Sequence, residues 1–345
     1  MSKKLWQPDP ERVAASNLTK FIGVVESRWG VSCADYTSLH HWSVEEPEKF
    51  WQTLWDFAGV LGDLTDDVVL QHPDQMPGAV FYPNARLNFA ENLLRRRDDT
   101  AALMFRGETG VERTLTGAAL YDLVSRLKQA MQKAGIKSGD RAAGYLPNLP
   151  ESIAAMLATA SLGAVWSSCS PDFGTQGVLD RFGQIEPKLL FAADQYFYNG
   201  RAIDCSERIN EVRAKLPSVD SVIILPYDAD APVSLSDLSM TSLADFIEHF
   251  AAIEIEFQRF DFNHPLYILF SSGTTGVPKC IVHGAGGTLI QHLKDHLLQT
   301  DVKPGDRVFY FTTLGWMMWN WLVSGLAAGA TILLYDGSPF YPDGN

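Results

Sequence analysis

Tyr267-Ile268-Leu269-Phe270-Ser271-Ser272-Gly273-Thr274-Thr275-Gly276-Val277-Pro278-Lys279 opens with four apolar, uncharged residues that read as a buried strand. Six small residues follow, Ser271 to Gly276. Such a loop packs poorly, but it presents hydroxyls and free backbone N–H groups at close range. Its glycines permit the positive-φ turns that cradle oxyanions. Lys279 closes the stretch with a mobile cation. Together these features suggest a grip on polyphosphate, and a flexible surface turn is the plainer alternative. The P-loop spacing fails. That pattern places its lysine directly after a glycine, whereas Pro278 precedes Lys279 here and Cys280 follows it.

Outward from this stretch, the chain echoes itself. Lys137-Ser138-Gly139-Asp140-Arg141 returns as Lys303-Pro304-Gly305-Asp306-Arg307, and the same offset of 166 residues carries Gly163-Ala164 onto Gly329-Ala330. Each copy reads as turn, strand, loop, apolar helix, Gly-Ala turn and second strand, the last at 165–169 and 331–335. Parallel strands joined by a crossover helix form a βαβ unit. Two copies predict an α/β fold with two similar doubly wound subdomains. Residues 308–335 carry no charge and are long enough to span a bilayer. Asn320, the Gly and Thr residues and the Gly-Ala turn argue instead for a buried helix and strand.

Residues 1–95 read as a mostly helical lead-in. Leu18, Phe21, Ile22, Val25 and Trp29 recur at helical spacing, as do Phe50, Leu54, Trp55 and Phe57 after a Ser43-x-x-Glu46 capping-box candidate. Residues 71–88 form an extended link. Residues 88–97 predict a helix whose end, Arg95-Arg96-Arg97, is a solvated basic turn. A strand is expected at 101–106 and a helix from Thr114 to about Ala134. Between the repeats lie a strand at 188–193, a helix at 205–216, a strand at 221–225, a polar excursion at 226–242 and a helix at 243–250.

A length of 345 residues fits two or three compact units, and 46% hydrophobic with 20% charged residues suits a soluble globular chain. A net charge of −13 argues against nucleic acid or an anionic membrane as partner, while a small anion needs only a local positive site. Cys33, Cys169, Cys205 and Cys280 are scattered, without a zinc-ribbon pair or a disulfide framework, so a reducing, cytoplasmic setting is expected. His292 and His296 share a helical spacing, but no glutamate of a zinc-protease motif lies between them. They read as a solvated face, and no metal site is expected. Met1 to Trp6 has lysines but no apolar run behind them, so no secretory signal is read there.

The stretch at 271–279 resembles the phosphate-binding signature of the adenylate-forming enzymes, which include acyl-CoA synthetases, firefly luciferase and peptide-synthetase adenylation domains. Every position of Ser/Thr-Ser-Gly-Ser/Thr-Thr-Gly-x-Pro-Lys is present. Asn88-Phe89-Ala90-Glu91-Asn92, the Lys303 turn and Gly315-Trp316 follow the order of the acetyl- and acetoacetyl-CoA synthetase branch. The tryptophan-rich text at 312–321 looks most like its acetoacetyl-CoA members. The resemblance implies a helical extension over 1–95 and an adenylate-forming domain over 96–345. It also implies an acid–thiol ligase in which acetoacetate attacks Mg-ATP, giving an acyl-adenylate that CoA then captures. ATP, Mg²⁺ and CoA are the implied cofactors. Ser271, Ser272, Thr274 and Thr275, with the N–H groups of Gly273 and Gly276, would hold phosphates, and Lys279 would offset the charge of leaving pyrophosphate. Thr274, Thr275 and Lys279 are the implied catalytic residues. Trp316, Met317 and Met318 would shape the acyl pocket, while Trp319 and Trp321 pack the crossover helix. Ser168, Cys169 and Arg201 align with residues that meet CoA, Arg201 being equally readable as a merely exposed arginine.

Two departures stand out. Cys280 occupies a position where much of that family has glycine. The family's later motifs, including the ribose-binding aspartate, the hinge and the mobile C-terminal domain, have no counterpart up to Asn345. The expectation is an N-terminal portion that binds polyphosphate weakly and turns over poorly or not at all. A ligase for acetate, propionate or another short acid, a carrier-loading enzyme and a non-catalytic nucleotide-binding module remain alternatives.

Overall fold

The computed structural model describes residues 5–228, 240–271 and 276–343. Helix α1 (Asn17–Trp29) begins where the Ser16 hydroxyl accepts the Thr19 N–H and stops at Gly30, whose φ of 65° suits glycine. It buries Phe21 and Val25. A capping box does occur next, but Asp35 and Ser38 make it, at the start of α2 (Tyr36–Glu45). Ser43 lies inside α2 and donates to the His40 carbonyl at 2.8 Å. Helix α3 (Pro47–Phe57) starts on Pro47, whose missing N–H costs nothing in a first turn.

Helix α4 (Phe89–Leu93) is shorter than its pattern suggests. Asn88 caps it and also donates to the carbonyls of Ser161 and Gln258, at 3.1 and 2.8 Å. The three arginines beyond it are tethers, not a solvated helix end. Arg95 reaches the Ala58 carbonyl and the Asn92 amide oxygen, Arg96 donates to the Gly329 carbonyl at 2.8 Å, and Arg97 pairs with Glu254.

Strands β1 (Ala101–Gly107) and β2 (Glu112–Thr116) form an antiparallel pair, so Thr114 belongs to a strand. Helix α5 (Gly117–Lys133) starts three residues later than Thr114, because the Thr116 hydroxyl provides the cap. There follow β3 (Arg141–Tyr145), α6 (Pro150–Ser161), β4 (Val165–Cys169), α7 (Thr175–Ile185), β5 (Leu189–Ala193), α8 (Ser206–Ala214), β6 (Ser221–Leu225), β7 (Met240–Ser242), α9 (Leu243–Ile247), β8 (Pro265–Ser271), β9 (Lys279–Gly284), α10 (Ala285–Lys294), β10 (Arg307–Phe309), α11 (Met317–Ser324) and β11 (Thr331–Asp336).

One sheet has the order β7-β6-β5-β3-β4-β8-β9, parallel throughout except for β9. Strands β4 and β5 are buried at every position, as a sheet covered on both faces requires. The second sheet has the order β10-β11-β1-β2, with only β2 antiparallel. Two of the four outer strands, β9 and β10, expose large apolar side chains: Ile281 and Val282 on one, and Phe309, followed by Tyr310 and Phe311, on the other.

The repeat recurs hydrogen bond by hydrogen bond. Arg141 pairs with Val165 as Arg307 pairs with Thr331. Gly139 N–H donates to Gly163 O and Gly305 N–H to Gly329 O, each at 2.9 Å. Lys137 N–H meets the Asp140 carboxylate as Lys303 N–H meets that of Asp306, at 2.9 and 2.8 Å. Gly163 and Gly329 both hold positive φ, 68° and 79°, at the turn that stops each crossover helix. Among the described residues no helix is long and apolar enough to cross a membrane.

His292 and His296 are buried, not solvated. A π-turn over Asp295–Gln299 swings His296 under α11, where its ring stacks on Trp321 with centroids 4.4 Å apart. Its Nε2 donates to the Trp321 carbonyl at 2.8 Å, and the Ser324 hydroxyl lies 2.8 Å from His292 Nδ1. Burial, then His296 and His283, press His292 down to about 3, so both rings stay neutral.

Candidate active site at the carboxyl edge of the parallel strands

Because β3, β4 and β8 are parallel, Tyr145, Cys169 and Ser271 end on one edge, where open α/β sheets place ligands. The second sheet meets that edge through Asn148, in a loop between Pro147 and Pro150. The Asn148 backbone N–H donates to Asp336 Oδ1 at 3.0 Å and its amide donates to the Tyr335 carbonyl at 3.3 Å. Its Oδ1 accepts the Trp319 indole N–H at 3.0 Å. Burial pushes the Asp336 carboxyl up to about 6, against the pull of the Asn148 N–H.

Ser271 is the last residue of β8, and it sits directly opposite Lys279, the first of β9. The glycine-rich loop therefore closes a hairpin, with both ends held in register. Ser272, Gly273, Thr274 and Thr275 lie outside the described residues. Gly276 has a φ of 99°, a conformation open to glycine, and Lys279 is exposed. Helix α7 flanks the hairpin: Gln184 donates to the Pro278 carbonyl at 2.8 Å. The Arg181 guanidinium lies 4.5 Å from the Phe173 ring centroid and 5.8 Å from that of Phe270, directly before the loop. The motif gave no hint of this second cation, which comes from a distant helix.

Ser168 and Cys169 are both buried. The Ser168 hydroxyl donates to the Leu314 carbonyl at 2.8 Å, supporting the Gly315-Trp316 turn from below. Burial raises the Cys169 thiol to about 12, which leaves it an inert packed side chain. Gly315 has little room for a side chain, since a Cβ there would come within 3.2 Å of the Phe173 ring. Trp316 is 67% exposed and Met317 47%, at the mouth of α11, with Met318 half-buried beside them. Trp319 is buried in the crossover and Trp321 packs against the core.

Arg201 opens the second strand of a separate hairpin, Gln195–Tyr198 with Arg201–Asp204, and is exposed. The Asn199-Gly200 turn has positive φ at both residues, as tight two-residue hairpins need. Glu108 fixes that turn: its carboxylate accepts the N–H groups of Asn199, Gly200 and Ser338 at 3.0, 2.8 and 2.7 Å. Sequence reasoning passed over Glu108, Asn148 and Arg181, because each meets partners distant in sequence. Only Asn148, between two prolines, carried a local loop signal. Among the described residues no cluster of three His, Cys, Asp or Glu side chains is placed to hold a metal.

The chain is similar to acetoacetyl-coenzyme A synthetase of Rhizobium meliloti (strain 1021), at 54% identity over 99% of this chain and 52% of that protein. It is 42% identical to malonamoyl-CoA synthetase vrtB of Penicillium aethiopicum, over 98% of this chain and 48% of the other. The solved acetoacetyl-CoA synthetase from Streptomyces lividans superposes with a TM-score of 0.92 at 41% identity, over 99% of this chain and 52% of that one. The chain thus spans about half the length of the relatives it matches. The AMP-binding enzyme family matches residues 89–345, and the chain belongs to that family.

Proposed function

We propose that this chain is the nucleotide- and acyl-binding part of an ATP-dependent acid–thiol ligase that makes acetoacetyl-CoA. Residues 1–95 form a brace and 96–345 the binding part. The carrying observation is the Ser271–Lys279 hairpin, closed at the same strand edge that the Trp316 mouth adjoins. The acyl groups in the two relatives' names both have a second carbonyl on the third carbon, which favours acetoacetate over simple short acids.

In the first half-reaction a carboxylate oxygen attacks the α-phosphorus of ATP, and the bond to the bridging oxygen breaks to release pyrophosphate. In the second, the CoA thiol attacks the acyl carbon and AMP leaves. Work of this kind is mostly positioning and charge neutralisation. Ser271, Ser272, Thr274, Thr275 and the N–H groups of Gly273 and Gly276 hold the β- and γ-phosphates. Lys279 and Arg181 offset the charge that leaves with pyrophosphate, and magnesium enters with the nucleotide as part of the substrate. Trp316, Met317 and Met318 wall the acyl group. Arg201 meets a CoA phosphate, while Ser168 and Cys169 support the floor from within. The four free cysteines suit a reducing, cytoplasmic setting.

The test is carboxylate-dependent ATP–pyrophosphate exchange with acetoacetate, acetate, propionate and butyrate. It compares this chain with a fusion to the C-terminal half of the Rhizobium relative. Exchange in the fusion alone, strongest with acetoacetate, is expected. A folded fusion that binds ATP yet exchanges with no acid points to a nucleotide-binding module instead.

A further inference from the structure

Helix α11 buries three polar side chains, Trp319, Asn320 and Ser324, and two of them are matched. The Trp319 indole has Asn148, and the Ser324 hydroxyl has the Trp321 carbonyl and His292. Asn320 differs. It is 1% exposed, and neither its Oδ1 nor its Nδ2 has a hydrogen-bond partner. A buried amide left this way bears the desolvation penalty of each group in full, whereas leucine would fill the same space without that penalty. Such a group calls for a reason.

Its position supplies one. Helical geometry puts residue 320 on the face shared with Met317, three residues earlier, with Trp316 at the extended cap just before it. Those two side chains stand exposed at the mouth, so Asn320 lies about one turn, roughly 5 Å, further in. An acid whose carboxylate faces the nucleotide would send its third carbon in the same direction.

We propose that Asn320 is a specificity residue that reads the second carbonyl of a 3-oxo acid. Its Nδ2 donates to the keto oxygen, and Oδ1 is free to accept from a donor on the same carbon, as the N–H of a 3-amide would offer. This rests on the acyl-ligase reading above and deepens it. A site that hydrogen-bonds a substrate group discriminates against the analogue lacking it, because its own polar atoms are then left unpaired.

The experiment uses the fusion protein and its Asn320→Leu and Asn320→Asp variants, with acetoacetate and butyrate compared by exchange kcat/KM. Butyrate has the same carbon chain without the keto oxygen. Because the readout is a ratio within each variant, partial loss of folded protein cancels. The acetoacetate-to-butyrate ratio is expected to fall at least about 10-fold in Asn320→Leu, with butyrate unchanged or improved. Asn320→Asp, which offers an acceptor where a donor is needed, should lose acetoacetate more than butyrate. An unchanged ratio with active wild type would overturn the Asn320 role alone, since loss shared equally by both acids marks a packing role. Exchange with neither acid in wild type would overturn the ligase reading and this inference with it.

Discussion

Asp336 joins the two sheets through a carboxyl that burial holds at about 6, well above its ordinary 3.8. Between about pH 4 and pH 6 the native state therefore keeps a proton that the unfolded chain has already released. Stability supplied by the protonated form falls as pH rises from about 4 to about 6, the reverse of a salt-bridged carboxylate. Asp336→Asn preserves an acceptor for the Asn148 N–H and removes the titration. Urea midpoints at about pH 4.5 and pH 7 should drop more steeply in wild type than in the variant, and parallel drops would refute the assignment. At this scale the sequence was only partly readable. Lys279 and Trp316 sit inside recognisable local text. Asp336 meets Asn148 across 188 residues, and Arg181 meets Phe270 at the end of a strand distant in sequence, which no short window of sequence contains.

At the scale of elements, the βαβ repeat was readable because both copies depend on local chemistry: a Gly-Asp turn, an apolar helix and a glycine stop. The copies differ in what covers that stop. The Gly163 carbonyl also accepts from His264 Nε2 at 2.8 Å, and Phe260, stacked on His264, fills the space where a Cβ would go. The Gly329 carbonyl takes its second donor from Arg96, and a Cβ there would meet only Pro304, at 3.2 Å. Alanine at either site incurs roughly 1–2 kcal/mol of backbone strain. Gly163→Ala should cost about 1–3 kcal/mol more through overpacking. Urea unfolding of the two variants tests this; equal losses would contradict it. The misread elements share one cause. Residues 88–97 have helical composition, yet tertiary partners for the three arginines pull the chain out of the helix after Leu93. The histidine pair looked solvated because a π-turn, invisible in the pattern, rotates His296 inward.

Across the whole molecule, the α/β class followed from alternating strand and helix patterns, but the order of the strands did not. The assignment of β1 and β2 to the same sheet as the second repeat joins segments some two hundred residues apart, and only packing decides it. The extension also resists division from the rest: the Asn17 N–H donates to the Asp301 carboxylate at 2.7 Å and its amide to the Val302 carbonyl at 3.0 Å. The bare outer strands have a consequence for handling. Ile281 and Val282 flank one line of open backbone groups, and Phe309, Tyr310 and Phe311 border another, a combination that recruits foreign strands. Solutions of this chain alone should scatter light increasingly with concentration, and Ile281→Lys with Val282→Lys should clear them. If the unaltered chain stays monodisperse at the highest concentration reached, those rims are not sticky. If it clouds, its shelf life will be set by how thinly it is kept.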